Sequence, residues 1–204
     1  IFSGEPVPIR ELQKYVCRAA RKAGWTKEFA ASCNGKSDGS RVAVIGAGPA
    51  GLACASSLVA MGHDVHLFDK SLSLGGVAAS AIPGKRLMRD DSDAEVLSTL
   101  ADGVTFHAGE ALSNDRNLDA FASEFDAVFV GVGLGGSMKL TDVSSDGVED
   151  AVTFLERAKR GEAEVPTRVA VIGGGNTAMD AATTAIALGA RDVYLFYRRS
   201  FAEM

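Results

Sequence analysis

Two short glycine-rich segments have the residue types and spacing needed to bind a diphosphate. Residues 46–51 read GAGPAG, the pattern GxGxxG, and residues 173–178 read GGGNTA, its GxGxxA variant. The first glycine of such a motif permits a tight turn, the second lets the backbone approach a pyrophosphate, and the third position lets the following helix pack closely. The amides at the start of that helix then face the negative charge. The sequence therefore predicts two dinucleotide sites.

The residues that end the second strand after each motif predict which nucleotide each site prefers. Asp69 ends the apolar run after the first motif, and a carboxylate there accepts hydrogen bonds from ribose hydroxyls and repels a 2′-phosphate. After the second motif Tyr197 takes this place, followed by Arg198 and Arg199. Guanidinium groups can bind a 2′-phosphate through charge-assisted hydrogen bonds. The first site is therefore expected to take FAD or NAD, and the second NADPH.

The elements that position these residues form an internal repeat. Residues 41–48 read RVAVIGAG and residues 168–175 read RVAVIGGG, and the likeness continues to VHLF at 65–68 and VYLF at 193–196. Each copy is an apolar strand, a glycine turn, a helix of small residues and a second strand. Such a βαβ unit, with strands apolar on both faces, is typical of a covered parallel sheet. The fold class predicted is α/β, with two Rossmann-like units and an N-terminal helical segment.

Further elements are predicted around the two units. Apolar residues recur at helical spacing from Ile9 to Ala23, and the basic residues between them are interpreted as a solvated face, with a docking surface as the alternative. A Gly- and Ser-rich linker is expected at residues 34–40. Ser92 and Glu95 form a capping-box pattern that predicts a helix from Ser92 to about Leu100. The remaining predictions are strands at 104–108 and 127–132 and a helix at 149–159.

Composition narrows the classes of function. The net charge of -5 gives no sign of nucleic-acid or anionic-membrane binding, and no apolar run is long enough to span a bilayer. Cys17, Cys33 and Cys54 form no CxxC pair and no disulfide framework, which favours a reducing cytoplasm and argues against a disulfide reductase. No metal site is predicted.

With these residues in hand, the sequence resembles the family of glutamate synthase small (β) subunits, which includes the NADPH-oxidising half of dihydropyrimidine dehydrogenase. The motifs that carry the resemblance are GAGPAGLACA at 46–55, Gly75-Gly76 followed by Ile82-Pro83, FDAVFVGVG at 125–133, GGGNTAMD at 173–180 and YRRSFAEM at 197–204. They cover nearly the whole chain.

The resemblance implies three segments and two cofactors. Residues 1–38 are expected to be an N-terminal helical segment and linker, 39–145 the first part of an FAD-binding domain, and 146–204 the N-terminal part of an NADPH-binding domain. Predicted FAD contacts are Gly46, Gly48, Pro49, Ala50, Gly51, Asp69, Lys70, Gly76, Val77, Arg86, Leu112, Gly131 and Gly133. Predicted NADPH contacts are Gly173, Gly174, Gly175, Asn176, Thr177, Arg198 and Arg199.

The activity that the resemblance implies is hydride transfer from NADPH to FAD, followed by electron transfer to an iron–sulfur centre. Because the cofactors supply this chemistry, no catalytic acid, base or nucleophile is predicted. Relatives carry cysteine clusters upstream of the first motif, where this chain has only Cys17 and Cys33. The iron–sulfur centre is therefore expected on a segment outside this chain or on a partner.

This chain departs from its relatives at two further points. Relatives return to the FAD domain after the NADPH domain, so this chain is expected to be a fragment that is inactive alone. Met88 stands where relatives tend to have proline. Two alternative functions stay open for this sequence: a ferredoxin–NADP reductase of the adrenodoxin reductase type, and a nucleotide-binding module without turnover.

Overall fold

The computed structural model describes residues 7–25, 39–100, 102–113, 117–134 and 146–200. Within these ranges the elements, in chain order, are α1 (Ile9–Ala23), β1 (Arg41–Ile45), α2 (Pro49–Ala60), β2 (Asp64–Asp69), α3 (Gly76–Ala81), α4 (Arg89–Thr99), β3 (Val104–Ala108), α5 (Leu118–Glu124), β4 (Ala127–Val130), α6 (Ala151–Arg160), β5 (Arg168–Ile172), α7 (Asn176–Ala187) and β6 (Asp192–Phe196).

Both repeats form the parallel βαβ units that the sequence predicts. The first unit is a four-stranded parallel sheet in the order β3-β2-β1-β4. Its register places Val44 of β1 opposite Leu67 of β2 and Phe129 of β4. The second unit pairs β5 with β6 in parallel, with Arg168 opposite Asp192. The predicted α/β fold class and the N-terminal helix are therefore confirmed.

The two central strands of the first sheet, β1 and β2, are largely buried on both faces, which explains their nearly continuous apolar sequence. On one face Val44 and Leu67 pack with Leu52 and Ala55 of α2. On the other face a second buried cluster consists of Ala43, Ile45 and Phe68 with Phe121 and Phe125 from α5 and its end. These two layers fix the carboxyl ends of β1, β2 and β4 side by side.

The second unit has a smaller core. Val171 of β5 packs with Ala178 and Ala181 of α7, while Ile172 and Phe196 are more than half exposed. The small residues of α7 allow this helix to lie close to its two strands.

One predicted helix start is wrong. Helix α4 begins at Arg89 after Met88, so Ser92 is not an N-cap; it is buried in the helix, and its amide donates to the Met88 carbonyl at 3.0 Å. Asp90 and Asp91 lie in the first turn, where carboxylates interact favourably with the positive end of the helix dipole. Asp91 also forms ion pairs with α1, and these stabilise a helix that begins at Arg89 instead of after Ser92.

Two of the basic residues of α1, Arg18 and Arg21, are not simply solvated, contrary to the interpretation above. Arg18 donates from Nε to Oδ1 of Asp91 at 3.0 Å and from Nη2 to Oδ2 at 2.5 Å, and Arg21 Nη2 lies 3.3 Å from Oδ1. These hydrogen bonds, that from Arg18 above all, lower the pKa of Asp91 below its usual value. The apolar residues Ile9 and Leu12 are instead exposed. The helix thus contacts α4 through its basic side.

Three further predictions are partly met. The strand predicted at 127–132 ends at Val130, and the helix predicted at 149–159 spans Ala151–Arg160 after Asp150, whose side chain accepts from the amides of Val152 and Thr153. Most of the linker predicted at 34–40 lies outside the described residues. Among the described helices, none has the length and apolar character needed to cross a membrane.

Candidate functional site

The first glycine turn, residues 46–51, follows β1 and can be built only with glycine at two positions. Gly46 has φ +107°, and a Cβ there would lie 2.3 Å from the carbonyl oxygen of Gly131. A Cβ on Gly51 would lie 1.7 Å from the carbonyl oxygen of Gly46. These close approaches bring the strand ends of β1 and β4 against the start of α2.

The middle glycine of the same turn leaves an open side. A Cβ on Gly48 would meet nothing within 4 Å, and α2 starts at Pro49 without a side-chain cap from the described residues. Unpaired amides at a helix start attract anions because the helix dipole adds to their own partial charge. The open side therefore has the shape and the polarity that a diphosphate requires.

Asp69 joins the end of β2 to this turn. Its Oδ2 accepts a hydrogen bond from the amide of Ala47 at 2.6 Å, and its Oδ1 accepts from the amide of Ser71 at 2.7 Å. A carboxylate offers about four lone-pair sites, so two acceptor positions remain for hydroxyl groups. Asp69 both holds the turn and presents negative charge beside it.

The double glycine after β2 packs on the same turn. The amide of Gly75 donates to the carbonyl of Ala47 at 2.8 Å. Gly76 has φ +56°, and a Cβ there would lie 2.8 Å from Cα of Gly48. Helix α3, which begins at Gly76, is therefore in direct contact with the candidate cradle.

The remaining residues predicted for the first site are spread along the same edge of the sheet. Gly131 follows β4 and donates to the carbonyl of Ile45 at 2.7 Å, and Gly133 has φ +74° with open space around it. Val77 and Leu112 are exposed, at the start of α3 and in the loop after β3. Lys70 is exposed directly after β2.

The second glycine turn, residues 173–178, repeats the arrangement with looser packing. Gly173 has φ +139°, and a Cβ there would lie 3.2 Å from Cβ of Ala178. Gly175 has open space where a Cβ would lie, and α7 starts at Asn176 without a side-chain cap from the described residues. The exposed side chains of Asn176 and Thr177 lie at this helix start. This turn also presents an open helix start to an anion.

The strand end beside the second turn carries no carboxylate. The ring of Tyr197 covers Gly174, since a Cβ on that glycine would lie 2.6 Å from the ring. Arg198 and Arg199 follow as exposed residues, and neither makes a hydrogen bond or ion pair within the described part of the chain. Two guanidinium groups are thus available for an anionic ligand at the edge of this turn.

Arg86 makes a contact that the sequence analysis does not predict. Its Nη1 donates to Oδ2 of Asp180 on α7 at 2.6 Å, so it joins the segment after α3 to the second unit. Its role as an FAD contact stays a prediction. Sequence reasoning did not single out Asp180, although an acidic residue in a helix of small and apolar residues is an available signal.

Comparison with known proteins agrees with this geometry. Residues 40–203 match the family described as pyridine nucleotide-disulphide oxidoreductase. The chain is 36% identical to the NADP(+)-dependent formate dehydrogenase subunit beta of Moorella thermoacetica, over 98% of this chain and 32% of that protein. It is 34% identical to the glutamate synthase [NADPH] small chain of Escherichia coli, over 97% of this chain and 44% of that one. The expected resemblance to glutamate synthase small subunits is confirmed.

The chain matches only part of the length of each relative. The chain is 34% identical to the NAD-dependent dihydropyrimidine dehydrogenase subunit PreT of Escherichia coli, over 97% of this chain and 48% of that protein. The chain therefore spans about a third to a half of the length of these curated relatives. Mycobacterium tuberculosis FprA in complex with NADPH has the same fold, with a TM-score of 0.64 at 18% identity over 78% of this chain and 43% of that one.

Proposed function

We propose that this chain, which belongs to the pyridine nucleotide-disulphide oxidoreductase family, is the nucleotide-binding part of a flavoprotein that oxidises NADPH. One observation carries the proposal: two glycine turns on one chain have opposite charges at equivalent strand ends. Asp69 lies beside the first turn, and Arg198 and Arg199 follow the strand beside the second. One site therefore suits an unphosphorylated adenosine ribose and the other a phosphorylated one.

FAD is the cofactor that we propose for the first turn. The open space at Gly48 allows a diphosphate to approach the backbone, and Asp69 retains acceptor capacity for ribose hydroxyls. The residues proposed to hold it are Gly46, Gly48, Pro49, Ala50, Gly51, Asp69, Lys70, Gly76, Val77, Leu112, Gly131 and Gly133. They lie at or after the carboxyl ends of β1 to β4 or at the helix starts beside them, where open α/β sheets bind their ligands.

NADPH is the nucleotide that we propose for the second turn, held by Gly173, Gly174, Gly175, Asn176, Thr177, Arg198 and Arg199. Identity alone does not choose between the nucleotides, because named NADPH- and NAD-dependent relatives match equally well. The local charge supports NADPH, since Arg198 and Arg199 have no described partner to neutralise them. Each can donate two hydrogen bonds in parallel to a phosphate.

The protein's part in the reaction is binding and orientation. When bound, NADPH and FAD supply hydride-transfer chemistry, and the two turns hold their diphosphates on rigid strand ends. We propose that electrons then leave to an iron–sulfur centre outside this chain, because its three cysteines form no cluster-binding run. The boundaries 1–38, 39–145 and 146–204 and a cytoplasmic location belong to the same proposal.

The test is anaerobic reduction of the full-length protein. We expect purified protein to carry flavin absorbance that bleaches on addition of NADPH, and to respond to NADH only at much higher concentration. Flavin that stays oxidised with both nucleotides would indicate a binding module without turnover. Comparing iron–sulfur proteins and ferredoxins as final acceptors then separates a glutamate synthase-like enzyme from a ferredoxin–NADP reductase.

A further inference from the structure

Helix α6 of the second unit contacts the first unit where α3 ends. Lys159 Nζ donates to the carbonyl of Ile82 at 2.9 Å, and Ser80 Oγ donates to Oε1 of Glu156 at 2.7 Å. Glu156 and Lys159 both belong to α6, and residues three apart share one face of a helix. One face of the second unit therefore holds residues 80–82 of the first.

The contact at Ile82 fixes the turn that follows it. Residues 83–87 form a turn in which the carbonyl of Pro83 accepts from the amides of Arg86 at 2.9 Å and Leu87 at 3.0 Å. A peptide unit is planar, so a hydrogen bond that holds the Ile82 carbonyl also holds the nitrogen and Cα of Pro83. The place where the 83–87 turn begins is thus set from the second unit.

The 83–87 turn is not closely packed on the second unit. A cavity of about 220 Å³ lies between it and helices α6 and α7, and Pro83, Lys85, Leu155 and Lys159 are among its lining residues. Atoms beside a void have no packing partner on that side, so apolar contacts fix the turn poorly there. Burial is the largest cause that lowers the pKa of Lys159, and hydrogen bonds must replace the water that a half-buried ammonium has lost. The bond to Ile82 therefore matters both to the lysine and to the turn.

The 83–87 turn carries a residue predicted to contact FAD. Arg86 uses Nη1 to pair with Asp180 at 2.6 Å and is 40% exposed, and the other N–H donors of its guanidinium stay available for a ligand. The turn follows α3, whose first residue, Gly76, packs on Gly48 of the first glycine turn. Six helical residues span about 9 Å, a distance that the riboflavin half of FAD can cover from a diphosphate at Gly48.

We propose that Lys159 is a positioning residue for FAD: by holding the Ile82 carbonyl it places the 83–87 turn, and Arg86 with it, against the riboflavin half of the cofactor. The FAD site is then built from both units, although its glycine motif belongs to the first alone. This inference rests on the proposed function. Lys159 acts through the backbone of the turn.

The experiment titrates FAD into the full-length apoprotein and follows flavin fluorescence, for wild type, Lys159→Met and Lys159→Arg. Met keeps an apolar stem but donates no hydrogen bond, so the dissociation constant for FAD should rise about tenfold, the equivalent of one charge-assisted hydrogen bond. Arg keeps a cationic donor and should restore binding to within about threefold of wild type. The visible absorption spectrum of the bound flavin should change in Lys159→Met only, and the dissociation constant for NADPH should stay the same in both variants.

The matched control is Lys85→Met. Lys85 lines the same cavity but is exposed in the 83–87 turn itself, so its removal takes one ammonium from this cavity without cutting the bond to Ile82. We expect it to bind FAD as wild type does. If Lys159→Met folds poorly, Ser80→Ala tests the other contact of the same helix face, and it should weaken FAD about threefold because one neutral donor is lost to a carboxylate.

Three results would overturn the inference. Equal dissociation constants for FAD in Lys159→Met and wild type, or in Ser80→Ala and wild type where that variant decides, would show that the turn does not depend on α6. A loss in Lys85→Met as large as that in Lys159→Met would trace the effect to charge in the cavity. Equal weakening of FAD and NADPH in Lys159→Met would indicate a damaged fold. Wild-type apoprotein that binds no FAD is a different outcome, because it would contradict the proposed function itself.

Discussion

The two glycine turns share one backbone plan and differ in the side chain that meets it. In both, the amide of the first glycine donates to a carbonyl near the end of the neighbouring strand: Gly46 to Phe68 at 2.7 Å and Gly173 to Phe196 at 2.8 Å. The next residue along then contacts the residue that follows this glycine. In the first turn the carboxylate of Asp69 accepts from the amide of Ala47, and in the second the ring of Tyr197 packs on Gly174. The backbone geometry thus forms the cradle, and the side chains at the strand end set its charge.

The two turns also differ in how tightly they are enclosed. Gly46 is pressed against Gly131 after β4, and Gly51 is pressed against the carbonyl of Gly46. The second turn tolerates Ala178 where the first has Gly51, and the described sheet beside it has two strands instead of four. A turn between more elements leaves less room for a side chain.

The largest effect is expected for Gly51→Ala, which copies the third residue of the second turn into the first. Its Cβ would overlap the carbonyl oxygen of Gly46, and overpacking of this kind costs about 3 kcal/mol or more in the free energy of unfolding. Urea unfolding measures the change. The control is Gly175→Ala, whose Cβ meets open space and which should leave stability nearly unchanged. If Gly51→Ala and wild type unfold at the same urea concentration, the first turn is not more tightly enclosed than the second.

The next effect concerns the charge at the second strand end. Replacing both Arg198 and Arg199 with Ala removes charge-assisted hydrogen bonds worth roughly 1.5–3 kcal/mol in total, because both arginines are exposed and their charges are screened. The Michaelis constant for NADPH should rise by about tenfold to a hundredfold, while that for NADH stays almost unchanged because NADH has no 2′-phosphate. Higher salt should weaken NADPH more than NADH.

Steady-state kinetics of the full-length enzyme check this prediction. Arg191→Ala is the control, since Arg191 is exposed at the other end of β6, beside Asp192. Equal losses for NADPH and NADH would mean that the two arginines serve the fold or the shared diphosphate. A wild-type preference for NADH would refute the assignment.

A smaller effect is expected for Asp69→Asn at the first strand end. The side-chain amide of Asn keeps one oxygen, which can accept from either Ala47 or Ser71, but it lacks the second acceptor oxygen and the negative charge. FAD binding should therefore weaken by about 1–2 kcal/mol, or roughly five- to thirtyfold. Titration of the apoprotein with FAD measures this loss. Asp119→Asn, at an exposed position in α5, should bind FAD normally. Equal weakening of NADPH in Asp69→Asn would show that the two turns are not independent.

The smallest effect is a pH dependence confined to the first unit. Arg18 hydrogen-bonds Asp91 and holds the pKa of that carboxyl below its usual value. A carboxyl whose pKa is lower in the folded state stabilises the fold above its unfolded pKa, about 3.9, and loses that contribution as pH falls through the folded value. Asp91→Asn should therefore lower the melting temperature slightly at neutral pH, with the difference from wild type vanishing in acid. A difference that persists at the lowest pH would contradict this role of the charge.

Much of the fold follows from local sequence. The repeated RVAVIG segments, the small residues of α2 and α7 and the helical spacing from Ile9 to Ala23 predict elements that the structure contains at nearly the same bounds. Apolar periodicity and the positive φ of a turn glycine depend on neighbours within a few residues. The charges at the two strand ends are equally local, and they predict different nucleotides without any knowledge of packing.

Only the tertiary structure decides the contacts between distant side chains. Periodicity shows that α1 is amphipathic, but the ion pairs with Asp91 turn its basic side toward α4. No local sequence pattern predicts that Arg86 pairs with Asp180 or that the Tyr197 ring lies on Gly174. Such contacts depend on where whole elements pack, and an exposed basic residue has the same local sequence signal whether it faces water or a carboxylate. The physical reason is that the partner of a long side chain depends on which groups lie within hydrogen-bonding distance in space. The order of residues along the chain does not give that distance.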